Sequence, residues 1–103
     1  MIKPLTANEN HWVERTLNGL SQEACLGQLL LPTLGGKYEL LDELAPLLKK
    51  YKVGGIFVCH APAEQHRETL ARLQDQTDIP YLVAADVECG AGYLVPGFVP
   101  FPD

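Results

Sequence analysis

Ile79-Pro80-Tyr81-Leu82-Val83-Ala84-Ala85-Asp86-Val87-Glu88-Cys89-Gly90 is the segment from which the fold prediction starts. Its apolar run, from Tyr81 to Ala85, has no polar face. Such a run predicts a strand covered on both sides, as in a parallel sheet. Ligands of parallel α/β folds bind beyond the carboxyl ends of the strands. Asp86 and Glu88, which follow the run at once, are therefore the main candidate site residues.

The remainder of the chain alternates predicted helices with predicted strands. Helices are predicted at about 9–20, at 38–51 and at 62–77, and a further short helix is predicted to begin at residue 22. Buried strands are predicted at 29–31 and 56–59, ahead of the one at 81–85. Residues 1–8 are predicted to form a loose arm, and residues 89–103, with three glycines and three prolines, a loop. This alternation implies βαβ units with right-handed crossovers in one α/β domain.

Local signals mark several helix ends. Gly19 suits the end of the first helix, and Ser21 is a good N-cap for the second. Pro46 lies inside the longest amphipathic segment, so that helix either kinks there or begins near Pro46. The leucines between residues 40 and 48 are interpreted as core packing against the sheet and not as a face for a partner helix. In an incomplete barrel the same leucines would be exposed.

Composition excludes several classes of protein. The chain has 103 residues, 47% of them hydrophobic, and a net charge of −5, which fits one modest globular domain at most. Lys and Arg are not clustered, which argues against a nucleic-acid or anionic-membrane partner. No signal peptide or membrane-spanning run is apparent, so a cytoplasmic location is expected by default. The three isolated cysteines predict buried or half-buried thiols, without a disulfide framework or a structural zinc site.

Four motifs, in this order and at this spacing, resemble the N-terminal barrel domain of glycoside hydrolase family 3. They are residues 12–30 (Trp12-Val13-Glu14 through Ser21-Gln22-Glu23-Ala24-Cys25-Leu26-Gly27-Gln28-Leu29-Leu30), 53–57 (Val53-Gly54-Gly55-Ile56-Phe57), 79–88 and the tail 98–102. The resemblance implies a partial (β/α)8 barrel, limited to its first three strands and helices. Complete barrels need about 250 residues, so the chain looks like the opening third of such a domain.

The resemblance also implies a function. Family members hydrolyse terminal sugars from β-glycosides with retention, including β-glucosides, β-xylosides and β-N-acetylglucosaminides. By resemblance, Asp86 matches the aspartate that binds hydroxyls of the terminal sugar. The family's nucleophile and acid/base match no position here, so these 103 residues alone are expected to be inactive. No cofactor is implied. Many members have Gly-Gly-Arg after the acidic pair, whereas this chain has Cys89-Gly90-Ala91, so an arginine contact of some subfamilies is missing.

The pair of Asp86 and Glu88 suits sugar binding better than catalysis. Residues two apart on a strand point to the same side with their Cα atoms about 6.5–7 Å apart. In a retaining glycosidase the two catalytic carboxyl groups, about 5–5.5 Å apart, must instead lie on opposite sides of the scissile bond. We therefore expect Asp86 to bind hydroxyls through charge-assisted hydrogen bonds. The plain alternative is that both carboxylates cap loop amides, and Glu88 is the more weakly predicted ligand contact.

Cys59 and His60 end the preceding strand, so a parallel sheet would bring them near Asp86, Glu88 and Cys89. These side chains offer a zinc site or a Cys/His nucleophilic pair as alternatives. The favoured interpretation is a strand-end histidine that faces solvent or a substrate pocket. The nucleophilic pair is disfavoured because nothing in the sequence orients the histidine as a base.

Two non-enzymatic functions stay open. One is a carbohydrate-binding remnant that keeps Asp86 without the chemistry. The other is a structural fragment that completes a barrel with a second polypeptide supplying about five further βα units. The expected partner is a carbohydrate for the first function and the remainder of the barrel for the second.

Overall fold

Helices and strands alternate along the chain in a computed structural model of the protein, which describes residues 3–34 and 40–101. The helices are α1 (Ala7–Asn18), α2 (Gln22–Gly27), α3 (Leu41–Lys50), α4 (Ala63–Gln74) and the single turn α5 (Ala91–Leu94). The strands are β1 (Gly55–Val58) and β2 (Leu82–Ala85). The predicted α/β class is confirmed.

The sheet is parallel, as predicted. β1 pairs with β2 in a register that places Gly55 opposite Leu82 and Val58 opposite Ala85. α4 connects the two strands, so 55–85 form one βαβ unit. On the other side of β1, Thr33 makes an isolated parallel bridge to Phe57. β1 is therefore the central element, with chain paired along both of its edges.

The predicted strand at 29–31 is wrong. After α2 ends, the chain turns, with the N–H of Leu30 donating to the carbonyl of Gly27 at 2.9 Å. From Leu30 the chain runs beside β1 without forming a regular strand at 29–31: the N–H of Gly55 donates to the carbonyl of Leu30 at 3.3 Å, and the N–H of Phe57 to the carbonyl of Pro32 at 2.9 Å. The leucines at 29–31 lie outside the core, and Leu29 is 81% exposed.

One apolar core joins the helices to one face of the sheet. Ile56 and Val58 are two residues apart on β1, so both side chains point to that face, and both are almost fully buried. α3 contributes three buried residues, Leu41, Ala45 and Leu48, and α4 contributes His66, Thr69 and Leu73. The predicted core packing of the leucine stripe is confirmed for Leu41 and Leu48, with Leu44 packed against them, whereas Leu40 and Leu47 are exposed.

The second face of the sheet is open, which corrects the prediction that β2 is covered on both sides. On this open face Leu82, opposite Gly55, is 74% exposed. Val83, opposite Ile56 on the helix-covered face, is still 46% exposed, so β2 is only partly covered there as well. Within the part of the chain that the structure describes, β2 pairs with β1 alone. The apolar sequence of β2 is that of an inner strand, whereas its surroundings here are those of an edge.

Helix ends follow their capping residues. α1 begins at Ala7, two residues earlier than predicted, because Thr6 and Glu9 form a capping box. Ser21 caps α2 as predicted, accepting the N–H of Ala24. α3 continues through Pro46, so a start near Pro46 is wrong, and the predicted first residues of that helix, 38 and 39, lie outside the described ranges. α4 ends at Gln74, three residues before the predicted end.

α2 packs closely against the connection between α3 and β1. The N–H of Gly54 donates to the carbonyl of Gly27 at 3.1 Å, and the side-chain amide of Gln28 donates to the carbonyl of Lys52 at 2.6 Å. A Cβ at Gly27 would lie 1.8 Å from the carbonyl oxygen of Tyr51. The absence of side chains at Gly27 and Gly54 is what allows this approach. None of the helices within 3–34 and 40–101 is long and apolar enough to cross a membrane.

Candidate functional site

The carboxyl ends of β1 and β2 bring the predicted site residues together. Because Val58 and Ala85 are opposite each other in a parallel register, the residues that follow each strand emerge at the same edge of the sheet. Cys59 and His60 follow β1, and Asp86 follows β2. The predicted proximity of these three residues is confirmed.

An open groove of about 420 Å³ lies at this edge. Seven residues line it: Phe57, Val58, Cys59, His60, Asp86, Tyr93 and Leu94. Its surface is mainly apolar, and it also holds a carboxylate, an imidazole, a thiol and a phenol. Mostly apolar walls with a few polar groups are the usual composition of small-molecule sites.

Asp86 is exposed at the mouth of this groove. It has the position expected for a hydroxyl-binding carboxylate, since strand β2 ends at Ala85 and leaves the next side chain at the sheet edge. A carboxylate accepts strong hydrogen bonds from hydroxyl donors. The arrangement can therefore bind a polyhydroxylated ligand at Asp86 and cover its apolar parts with Phe57 and Leu94.

Glu88 and Cys89 do not line the groove. After Asp86 the chain turns, and the N–H of Gly90 donates to the carbonyl of Val87 at 2.8 Å. Glu88 is exposed on this turn, and Cys89 is half-buried, as are Cys25 and Cys59. The expectation of half-buried thiols is confirmed. The weaker prediction of a ligand contact by Glu88 stays a prediction.

The loop after the acidic pair forms the outer wall of the groove. Residues 89–103 were expected to be irregular, but α5 forms within them and presents Tyr93 and Leu94 to the groove. The N–H of Ala61 donates to the carbonyl of Leu94 at 3.1 Å, which attaches α5 to the chain just beyond β1. Residues 102 and 103 lie outside the described ranges.

Tyr93 is the groove residue that sequence reasoning missed. The sequence showed only a glycine that permits a turn: Gly90 has a φ of 82° in the structure and begins the tight turn into α5. This turn lies next to a strand-end carboxylate. An aromatic residue three positions further along the chain is therefore well placed to line a site.

One histidine lines the groove and another, His66, lies on α4. His66 on α4 is buried, and this burial lowers its pKa, with a further contribution from the charge of His60. His66 therefore favours the neutral form beside the groove. Within residues 3–34 and 40–101, no three His, Cys, Asp or Glu side chains are grouped so that they could hold a metal ion.

A second groove, of about 490 Å³, lies between the segment 30–32 and α3. Its lining comprises Leu30, Leu31, Pro32, Leu44, Leu47, Leu48, Tyr51 and Val53. It contains no charged side chain and lies among apolar residues of the helical layer. Of these two grooves, the one at Asp86 is the better candidate site, because its apolar wall also carries a carboxylate, an imidazole and a thiol.

Comparison with known proteins leaves the family open. No protein-family model matches the chain, and no curated protein shows a significant match to it.

Proposed function

We propose that this chain is the opening part of the barrel of a retaining glycoside hydrolase that acts on terminal β-linked sugars. The observation that carries the proposal is the exposed carboxylate of Asp86 in a mainly apolar groove at the carboxyl ends of parallel strands. In (β/α)8 barrels, substrates bind at this end of the sheet. The resemblance of the sequence to glycoside hydrolase family 3 supports the same assignment.

Asp86 would bind hydroxyls of the terminal sugar, with its carboxylate as acceptor of charge-assisted hydrogen bonds. It would not act as nucleophile or general acid. Those two groups match no position among the 103 residues, so hydrolysis requires residues beyond them. His60, exposed at the opposite wall, would contribute a polar contact.

The open face of the sheet supports the barrel part of the proposal. A (β/α)8 barrel has helices outside and close-packed side chains inside. Here the helices cover one face, and the other face carries apolar residues such as Leu82 and Phe57. The side chain of Leu31 also approaches Gly55 on this sheet, 2.4 Å from where a Cβ would lie. Further βα units would convert this open face into a barrel interior.

The exposed apolar residues also favour a second candidate, in which the remaining units belong to another polypeptide. Leu29, Leu82 and Val83 are exposed at 81%, 74% and 46%. They lie at the turn after α2 and on both faces of the edge strand β2, where a further strand and its helices would cover them. In this case the chain would co-purify with a polypeptide that supplies the remaining βα units.

The test is capture of the protein from its host with an antibody raised against residues 1–103. The intact mass of the captured species is measured, together with its activity on chromogenic β-glucoside, β-xyloside and β-N-acetylglucosaminide. We expect a mass well above 11.3 kDa, or a stoichiometric partner, together with activity on one of the three substrates.

Asp86→Ala introduced in the host should lower kcat/KM on that substrate by about tenfold or more, since a hydrogen bond to a charged group contributes about 1.5–3 kcal/mol. Asp78→Ala is the matched control, because Asp78 is also exposed but precedes β2, at the opposite end of the strand. Captured protein that hydrolyses none of the three substrates refutes the glycosidase assignment. Sugar binding that depends on Asp86 but lacks hydrolysis would instead support the carbohydrate-binding remnant.

A further inference from the structure

We infer that Tyr93 is the aromatic platform of the groove, against which the apolar face of a pyranose ring packs while Asp86 binds its hydroxyls. The inference rests on the proposed function and adds a residue that neither the sequence motifs nor the family resemblance assigns. It is drawn from the placement, exposure and anchoring of Tyr93.

The chemistry of a pyranose ring calls for two kinds of contact. Its rim carries hydroxyls, which need hydrogen-bond partners, and its faces carry C–H groups, which gain from leaving water. Tyr93 lines the same groove as Asp86 and is 59% exposed, so a large aromatic surface is available there. An aromatic side chain has an apolar body suited to C–H groups and buries a large area when it is covered.

The backbone around Tyr93 is held on several sides. Its N–H donates to the carbonyl of Gly90 at 3.1 Å, and the N–H of Val95 donates to the carbonyl of Ala91 at 2.8 Å. The neighbouring Gly92 packs against the returning chain, where a Cβ would lie 2.4 Å from the backbone nitrogen of Pro100. A platform held in place before binding loses little conformational entropy when the ligand arrives.

The returning chain closes this loop on itself. The N–H of Phe101 donates to the carbonyl of Cys89 at 2.7 Å, and the Phe101 ring lies against Gly90. Together with the bond from Ala61 to Leu94, these contacts attach both ends of the loop. Tyr93 is thus exposed in its side chain but fixed in its backbone, as expected of a binding residue on a rigid support.

The inference is tested with methyl β-glucopyranoside and the protein at the length at which its host makes it. The dissociation constant is measured for the parent, Tyr93→Ala, Tyr93→Phe and Asp86→Ala. Tyr93→Ala should raise the dissociation constant about tenfold, equivalent to about 1.4 kcal/mol, whereas Tyr93→Phe should keep it within about twofold because packing needs only the ring. Tyr51→Ala is the matched control, since Tyr51 is also exposed, at 42%, but lines other grooves.

Saturation-transfer NMR gives an independent readout. Irradiation of the aromatic protons should transfer saturation to the ring C–H protons of the bound sugar in the parent and in Tyr93→Phe, and much less in Tyr93→Ala. Binding that requires Asp86 but is unchanged in Tyr93→Ala overturns the platform and leaves the proposed function standing. If the parent protein binds none of the methyl β-glycosides of glucose, xylose and N-acetylglucosamine, both the platform and the proposed function are overturned.

Discussion

Replacement of Gly54 by alanine is the sharpest test of how α2 is packed onto the α/β unit. A Cβ at this position would lie 2.0 Å from the carbonyl oxygen of Gln28 and 2.9 Å from its Cα. Ordinary Cβ contacts with backbone atoms are at least 3.0 Å, so α2 and the start of β1 must separate by about 1 Å. Both contacting atoms of Gln28 belong to the backbone, so no side-chain rotation can relieve the clash.

The magnitude follows from what this separation breaks. Overpacking of a tight site costs about 1–3 kcal/mol. Gly54 also donates its N–H to Gly27 at 3.1 Å, and its carbonyl accepts from Leu82 at 3.0 Å. Loss of these two hydrogen bonds removes about 1 kcal/mol each. We therefore expect Gly54→Ala to lower the free energy of unfolding by about 3–5 kcal/mol, a large share of the stability of a domain of this size.

Urea unfolding followed by far-UV circular dichroism measures the effect. With a slope of about 1–3 kcal/mol per molar urea, the transition midpoint should fall by at least about 1 M. Gly19→Ala is the control, because Gly19 has an ordinary φ of −85° and its added Cβ would lie 3.3 Å from the nearest atom. Its free energy of unfolding should stay within about 1 kcal/mol of the parent. A midpoint for Gly54→Ala equal to that of Gly19→Ala would refute the proposed packing of α2.

Two further predictions concern His66 and α1. Burial lowers the pKa of His66 below its ordinary value of 6.5, so the unfolded chain takes up this proton first as pH falls. The contribution of His66 to the free energy of unfolding should therefore be fully present above about pH 6.5 and be lost as the pH falls below it. His66→Gln should flatten this pH dependence, whereas His11→Gln should not. Parallel pH profiles for the parent and both variants would contradict the assignment to His66. Thr6→Ala removes the cap of α1, a helix with no buried residue, and should weaken that helix by about 1 kcal/mol without changing the urea midpoint of the core. Fluorescence of Trp12, the single tryptophan, reports on α1, and Thr16→Ala, which removes no cap, should leave this helix at least as stable.

Much of the secondary structure follows from local chemistry. Ser21 caps α2 through a residue three positions away, and most of the apolar run at 81–85 forms the strand Leu82–Ala85, whose pairing with β1 follows from the alternation of strands and helices. The run Leu29-Leu30-Leu31 is equally apolar, yet it forms no regular strand: Leu29 lies in the turn after α2, and only from Leu30 does the chain bond to β1. An apolar triplet is compatible with either state, and at the end of α2 the carbonyl of Gly27 accepts the N–H of Gly54. That contact joins residues far apart in the sequence.

The site was predictable in part. Asp86, Cys59 and His60 follow strands of one parallel sheet, so their proximity could be inferred from topology. The position of Tyr93 could not, since residues 89–101 have no periodicity and α5 depends on tertiary bonds such as that from Ala61 to Leu94. The separation of Glu88 from the groove likewise results from a turn that strand geometry does not anticipate.

The sequence by itself determined the α/β class, the parallel pairing and the carboxylate at the end of β2, because hydrophobic period and strand–helix alternation encode these features. Only the tertiary structure decided which face of the sheet is covered. Leu82 and Ile56 are both strand residues with apolar side chains, but one is 74% exposed and the other is fully buried. The difference arises because α3 and α4 pack on one face, and burial depends on what lies opposite a side chain as well as on its own hydrophobicity.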